Sequence, residues 1–235
     1  MNYPANVSCE NKLIVFDMDQ TLIDAETIDE LARAAGVAGE VEMITNKAMS
    51  GDLDFGEALR ERVKLLKGLS LEAAQAAVSG ISFMPGAKEL ISYVKELGYT
   101  TAMISGGFTL SAERVGKALG VDYVVSNKLL VEDGCLTGQV CGPLTFTDSK
   151  AHVFEELAGL NGVLPEQCVV VGDGANDICL FERAGFAIAF NPKPVLKQYA
   201  DVVISKKDLR AVIPVLESLN RLSRNYAQHV DFKEE

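Results

Sequence analysis

The chain has 235 residues, of which 48% are hydrophobic and 23% are charged, and its formal net charge at pH 7 is −11. This length suits one large α/β domain or a core with a small insert, and this composition is typical of a globular protein. The excess of acids argues against a nucleic-acid partner, because phosphate backbones would be repelled and the Lys and Arg residues are scattered.

The first eleven residues lack the basic start and the apolar core of a secretory signal, and no apolar run is long enough to cross a bilayer. The five cysteines are odd in number and form no metal-type cluster, which fits free thiols in a reducing compartment. We therefore expect a cytoplasmic protein without a membrane partner. We expect a monomer or a homodimer.

Apolar runs typical of strands alternate with helical patterns along most of the chain. The predicted strands are 13–16, 100–104, 121–125, 168–171, 186–190 and 202–204, and the predicted helices are 86–97, 110–119, 151–160 and 209–222. Such alternation predicts right-handed βαβ units, a mainly parallel sheet and a Rossmann-like three-layer α/β/α core. A ligand site in this fold lies beyond the carboxyl ends of the strands.

Two stretches depart from this alternation. Residues 24–82 are helical throughout, which predicts a small inserted helical-bundle cap, with residues 1–23 and 83–235 forming the core. An insertion at the carboxyl end of a strand overhangs the ligand site and can act as a lid. Residues 128–131 and 135–140 flank an Asp-Gly pair, which predicts a β-hairpin.

Two carboxylates, Asp17 and Asp19, follow directly after the first predicted strand, with one residue between them. At about 4 Å and an effective dielectric constant near 20, their repulsion amounts to roughly 4 kcal/mol, so a cation or a shared proton is implied. A helix-capping role would explain one of the acids but not both. The pair therefore favours a functional site.

Two more polar positions lie at the ends of predicted elements. Ser105 and Gly106 follow the second strand, where a hydroxyl and flexible N–H groups at a helix N-terminus can hold an anion, although Ser-Gly-Gly is also an ordinary turn. Lys150 begins a helix, where a cation opposes the helix dipole unless an anion is nearby. Lys128 is the alternative lysine, but its place in the hairpin disfavours it.

An acidic loop, residues 172–177, follows the strand 168–171 and contains Asp173, Asn176 and Asp177. Its Gly-x-Gly start is similar to a dinucleotide-binding turn, but Asp177 stands at the third glycine position, where its charge would repel a pyrophosphate. Oxygen ligands without His or Cys favour Mg²⁺. The loop therefore predicts a metal-binding turn.

These segments together resemble the four motifs of the haloacid dehalogenase superfamily of aspartate-nucleophile phosphatases. The motifs are carried by residues 17–21, Ser105, Lys150 and the loop 172–177. The resemblance extends to the superfamily's phosphoserine phosphatases through residues 26–32, 55–62, 105–108 and 128–138. It implies hydrolysis of O-phospho-L-serine to L-serine and phosphate, the last step of serine biosynthesis, with one Mg²⁺, or Mn²⁺ in its place, per active site.

The resemblance also implies a role for each site residue. Asp17 is the nucleophile that becomes an aspartyl-phosphate, and Asp19 is the general acid and base. The implied metal ligands are Asp17, the Asp19 carbonyl and Asp173, and the implied phosphate-binding residues are Ser105, Gly106 and Lys150. For substrate recognition, the resemblance implies that Glu26 binds the ammonium and Arg62 binds the carboxylate. It further implies that Met49 and Phe55 close an apolar wall and that Asn176 also binds the substrate. Asp177 is implied to support the acidic loop.

Other interpretations remain open at this stage. Glu26 can serve a helix dipole, Arg62 can belong to a solvated face, and Met49 and Phe55 can be core residues. The same catalytic residues suit a phosphotransferase that passes the phosphoryl group to homoserine, or a phosphatase of another small phosphomonoester. A phospho-accepting receiver module would lack the helical insert, and dehalogenase chemistry needs no second acid and no Mg²⁺.

Overall fold

The computed structural model describes residues 12–230, with side chains as far as residue 221. Cys9 and the predicted absence of an N-terminal signal thus fall outside the described residues. Within them the chain forms one sheet with the strands β1 Lys12–Phe16, β2 Tyr99–Phe108, β3 Tyr123–Glu132, β4 Cys135–Cys141, β5 Val169–Gly172, β6 Phe186–Phe190 and β7 Val202–Ile204. The spatial order is β4-β3-β2-β1-β5-β6-β7, and β4 pairs antiparallel while the other pairs are parallel.

Helices cover both faces of the sheet. The helices of the described residues, including the four of the insert, are α1 Thr27–Ala35, α2 Ala38–Ser50, α3 Phe55–Leu65, α4 Leu71–Ser79, α5 Ala87–Glu96, α6 Thr109–Leu119, α7 Ser149–Leu160, α8 Ile178–Phe181 and α9 Ile213–Val230. Alternate residues of β1 belong to different cores: Val15 packs in one core with Phe154 of α7, and Phe16 packs in the other with Leu90 of α5. Because side chains of a strand alternate between faces, this burial produces three layers, and the predicted α/β/α architecture is confirmed.

Three predicted boundaries were wrong. β2 continues past residue 104 to Phe108, so Ser105-Gly106-Gly107 lies in an irregular strand end rather than at a helix N-terminus. Residues 123–125 of one predicted strand and the whole run 128–131 belong to one strand, β3, which starts two residues later than predicted. The last helix starts at Ile213 after a 3-10 turn, because Pro214 is accommodated in the first turn of an α-helix and not in its interior.

Helices α1 to α4 lie between β1 and α5 in the chain and pack against one another. The predicted hairpin is present, with positive φ at Asp133 and Gly134 as its two-residue turn requires. This hairpin is also bonded to the segment after α3: Gly68 N–H donates to Leu136 O, and Leu136 N–H donates to Leu69 O, each at 2.8 Å. A third bond of 2.8 Å joins the amide of residue 71 to Gly134 O.

The strand order creates a crevice at the carboxyl end of β1. From β1 the chain passes to β2 and β3 on one side and later returns to β5, β6 and β7 on the other, so β1 and β5 flank the topological switch point. The amide of Asp17 continues the pairing by donating to Val171 O at 2.9 Å. None of the helices in the described part of the chain is long and apolar enough to cross a membrane.

Candidate active site

Asp17 and Lys150 form a buried ion pair at this crevice. Asp17 follows β1, Lys150 lies in the first turn of α7, and Lys150 Nζ lies 2.7 Å from Asp17 Oδ1. Each of the two residues is at most 5% exposed. Burial lowers the pKa of Lys150, but Asp17 and Asp177 outweigh it and raise the pKa, so the ammonium stays charged. A lysine near a helix N-terminus opposes the helix dipole, and the carboxylates of Asp17 and Asp177 compensate this unfavourable charge.

The acidic loop after β5 is organised by Asp177. One carboxylate oxygen of Asp177 accepts from Lys150 Nζ at 2.7 Å, and the other accepts from the amides of Asp173 and Gly174 at 3.1 and 3.3 Å. These bonds satisfy both oxygens of a carboxylate that has no solvent exposure. Asp177 therefore fixes the loop that presents Asp173. Asn176 lies in the same loop, partly buried.

The carboxylates of Asp17, Asp173 and Asp177 converge, with one oxygen of each within 4.8 Å of the others. Burial and the neighbouring carboxylates raise the pKa of Asp17 and of Asp173, while Lys150 partly opposes the shift at Asp17. One buried lysine does not balance three buried carboxylates. A divalent cation held by oxygen ligands would, so the donor set fits Mg²⁺.

Asp19 lies beside this cluster and is held by Thr27, the first residue of α1. Thr27 Oγ1 donates to Asp19 Oδ1 at 2.7 Å, and the Thr27 amide donates to Asp19 Oδ2 at 3.3 Å. Burial, with the charge of Glu26 as the next contribution, raises the pKa of Asp19 to about 8. This carboxyl is therefore protonated at neutral pH, which suits a proton donor.

Ser105 and Gly106 lie at the end of β2, next to the acids. Ser105 Oγ accepts from the Gly107 amide at 3.0 Å. A Cβ at Gly107 would lie 3.3 Å from Asp19 Oδ2, so the absence of a side chain lets this strand approach the second acid. Asn127, which is fully buried in β3, donates to Gly106 O at 3.2 Å and also exchanges two bonds with the backbone of Leu144.

Two charged side chains of the inserted segment, Glu26 and Arg62, interact electrostatically with the acids of the site. Glu26 raises the pKa of Asp19 and of Asp173, and its Oε1 lies 3.4 Å from Lys193 Nζ. Arg62 is partly buried on α3 and donates from Nε to Ala58 O at 3.1 Å. Burial lowers the pKa of Arg62, while the charges of Glu26, Asp29 and Asp19 oppose the shift.

The two residues predicted to form an apolar wall are placed differently. The Phe55 ring lies over Gly106, where an added Cβ would be 3.1 Å from Phe55 Cζ. Met49 near the end of α2 is 69% exposed, so the alternative that it is a core residue is wrong. Its contribution to a wall stays a prediction.

Three residues that hold the site were missing from the sequence prediction: Thr27, Asn127 and Lys193. Thr27 had a local signal, since it follows Glu26 at the start of a helix close to the acidic pair. Asn127 falls between two predicted strands, but in the structure it lies in the middle of β3, where a buried polar side chain indicates a structural role. Lys193 follows the strand β6, which carries no predicted motif.

The fold and the site together define a class of α/β enzymes with a buried aspartate and lysine at the switch point of a parallel sheet. The sequence pattern of the haloacid dehalogenase-like hydrolases matches residues 14–182, which include Asp17, Asp19 and Asp173. The chain belongs to the haloacid dehalogenase-like hydrolases.

Its relatives within that family include several phosphoserine phosphatases, as the sequence predicted. The chain is 50% identical over 208 residues to the phosphoserine phosphatase of Archaeoglobus fulgidus. The aligned region is 88% of this chain but only 60% of that relative, so the chain spans less than two thirds of its length. It is 46% identical to the phosphoserine phosphatase of Methanocaldococcus jannaschii over 88% of the chain and 99% of the relative. Two solved structures at 46% identity superpose with a TM-score of 0.84: a phospho-aspartyl intermediate analogue of phosphoserine phosphatase and a substrate-bound phosphoserine phosphatase complex. Each superposition covers 88% of this chain, together with 99% of the first solved chain and 98% of the second.

Proposed function

We propose that the protein hydrolyses O-phospho-L-serine to L-serine and phosphate through an aspartyl-phosphate on Asp17. The observation that carries the proposal is the buried pair of Asp17 and Lys150, 2.7 Å apart, beside the carboxylate of Asp173. Relatives at 46% and 50% identity that are named phosphoserine phosphatases support the substrate. The solved phospho-aspartyl analogue of a relative supports the intermediate.

In the first step an oxygen of Asp17 forms a bond to phosphorus while the bond between phosphorus and the serine oxygen breaks. Asp19 gives its proton to the departing serine oxygen, which its raised pKa of about 8 allows at neutral pH. In the second step Asp19 takes a proton from the water that attacks phosphorus, and phosphate leaves Asp17. Thr27 holds Asp19 in one orientation for both transfers.

The phosphoryl oxygens would be bound by Ser105, Gly106 and Lys150. Lys150 also restrains Asp17, because it bonds Oδ1 and leaves the other oxygen of the carboxylate to react. The Asn127 amide fixes the Gly106 carbonyl, so the backbone of the loop is oriented before the phosphate arrives.

The side chains of Asp17 and Asp173 and the carbonyl of Asp19 would hold one Mg²⁺, or Mn²⁺ in its place. Asp177 is not assigned as a ligand, because both of its oxygens already accept hydrogen bonds. When bound, the ion screens the carboxylates from the incoming phosphate and withdraws charge from its oxygens.

Recognition of the serine part is assigned to the inserted helices, residues 24–82, which would form the cap over the core of residues 1–23 and 83–235. Glu26 would bind the ammonium and Arg62 would bind the carboxylate with its two-pronged guanidinium. Phe55 and Met49 would close the apolar side, and Asn176 would approach from the acidic loop. We also propose that the protein is cytoplasmic and is a monomer or a homodimer.

Phosphate release from O-phospho-L-serine, with Mg²⁺ and with a chelator, tests the proposed function. We expect release that the chelator and D17N both abolish while the circular dichroism spectrum of D17N is unchanged. Retained turnover by D17N would reject the aspartyl-phosphate. Addition of homoserine decides between water and an alcohol as acceptor, because a phosphotransferase would form O-phosphohomoserine.

A further inference from the structure

Lys193 connects the loop after β6 to both the acidic loop and the inserted helices. Its amide donates to Asp173 O at 2.8 Å, and its Nζ lies 3.4 Å from Glu26 Oε1. The ammonium also lies 3.8 Å from the position that a Cβ on Gly174 would take. The side chains of Lys193 and Glu26 are 44% and 34% exposed, so a ligand can reach the pair.

The charges around Lys193 keep it protonated and directed to Glu26. Burial lowers its pKa, but Glu26 and Asp173 outweigh burial and raise it overall. The ammonium of Lys193 thus compensates one carboxylate that Lys150 does not reach. Without a cation beside it, Glu26 would face Asp19 and Asp173, whose pKa values it already raises.

We propose that Lys193 sets how strongly the site discriminates between substrates with and without an amino group: as the resident counter-ion of Glu26, which a substrate ammonium displaces, it lets a ligand without an ammonium bind as well. The inference rests on the proposed function, in which Glu26 binds that ammonium. Lys193 acts through Glu26 and is a positioning residue. Displacement exchanges one ion pair for another, so an amino-bearing phosphate ester binds without leaving Glu26 unpaired.

A ligand without an ammonium cannot replace Lys193 as the ion-pair partner of Glu26. 3-Phosphoglycerate carries a hydroxyl where phosphoserine carries its ammonium, and with Lys193 present it binds beside an intact ion pair. Without Lys193, the same ligand brings its phosphate and carboxylate next to an uncompensated Glu26. Removal of the lysine therefore penalises 3-phosphoglycerate more than phosphoserine.

The test compares K193M with the unaltered protein, using kcat/KM for O-phospho-L-serine and the inhibition constant of 3-phosphoglycerate against that reaction. We expect the inhibition constant of 3-phosphoglycerate to rise about fivefold, as suits a half-exposed pair, while kcat/KM for phosphoserine does not fall, because the substrate ammonium then pairs with a Glu26 that no lysine occupies. K193R keeps the charge and should keep the ratio of the two constants at its value in the unaltered protein. K197M, an exposed lysine in the following turn, is the control for net charge.

The double variant E26Q/K193M isolates the pair. If Lys193 acts through Glu26, K193M leaves the ratio unchanged once Glu26 is neutral. Equal losses for both ligands in K193M, or the same effect in the E26Q background, would overturn the inference and leave the phosphatase intact. Absence of phosphoserine hydrolysis by the unaltered protein would instead reject the proposed function and with it this inference.

Discussion

The carboxylate of Asp177 occupies the space that a side chain on Gly172 would need: a Cβ there would lie 2.3 Å from Asp177 Oδ2. Gly172 ends β5, and Asp177 is the residue whose oxygens join Lys150 to the backbone of the acidic loop. Only a glycine at the last position of this strand leaves room for the Asp177 carboxylate to accept hydrogen bonds from the amides of its own loop.

We predict that G172A lowers kcat/KM for phosphoserine by about a hundredfold or more, because a misplaced Asp177 releases both Lys150 and Asp173 from their positions. Phosphate release measures the loss, and circular dichroism checks that the chain is folded. G159A is the control, since a Cβ at this glycine of α7 meets no atom within 4 Å. It should keep full activity and gain about 0.5–1 kcal/mol of stability from helix propensity. Full activity of G172A would contradict the role given to Asp177.

We predict that R62A lowers kcat/KM for phosphoserine by about a hundredfold, because the charge-assisted bonds to the substrate carboxylate are lost. Phosphoethanolamine has the same phosphate and ammonium but no carboxylate, and its turnover should change much less. R60A on the exposed side of α3 is the matched control and should affect neither substrate. Equal losses on both substrates would remove Arg62 from carboxylate recognition.

We predict that E26Q moves the alkaline limb of kcat to lower pH. Burial and the charge of Glu26 raise the pKa of Asp19, so a neutral residue at 26 lowers that pKa, and the protonated donor is lost earlier as pH rises. The shift should be roughly half a pH unit or more. Ethyl phosphate is the suitable substrate, because it lacks the ammonium that Glu26 would bind. E61Q, an exposed acid of α3, should leave the limb in place; an unmoved limb in E26Q would show that Glu26 does not act on Asp19.

We predict that Mg²⁺ raises the thermal unfolding midpoint of the protein and that D173N abolishes this rise. An ion that binds only the folded state adds about 2.7 kcal/mol at a hundred times its dissociation constant, which corresponds to roughly 5–10 °C for a chain of this size. D133N removes the same charge at the exposed hairpin turn and should respond to Mg²⁺ like the unaltered protein. An equal rise in D173N would place the ion elsewhere.

The core of the fold was predictable because its strands are apolar runs that need no context. The predicted strand 13–16 recurs in β1 Lys12–Phe16, and 186–190 is β6. The end of β2 was not predictable, since Ser105-Gly106-Gly107 has the local pattern of a turn and becomes strand only through pairing with β3. Contacts across the sheet override local preference at such positions.

The site was predictable where a motif directly follows a strand or opens a helix, as with Asp17, Lys150 and Asp173. The ion pair of Glu26 and Lys193 was not, because its partners are 167 positions apart and come from different parts of the fold. Asn127 was missed for a related reason: its three bonds reach the backbone of residues that lie 17 and 21 positions away. Sequence patterns report where polar groups lie along the chain, and the topology decides which of them meet.

The hairpin of β3 and β4 gives the inserted helices a third attachment besides the two points where the chain enters and leaves them. Three backbone hydrogen bonds, each 2.8 Å long, join the segment after α3 to this hairpin. Any swing of the four helices away from the crevice must therefore either carry the hairpin with them or first break these bonds. If the inserted helices act as the proposed cap, the stiffness of this attachment would limit how far the crevice can widen to admit a substrate.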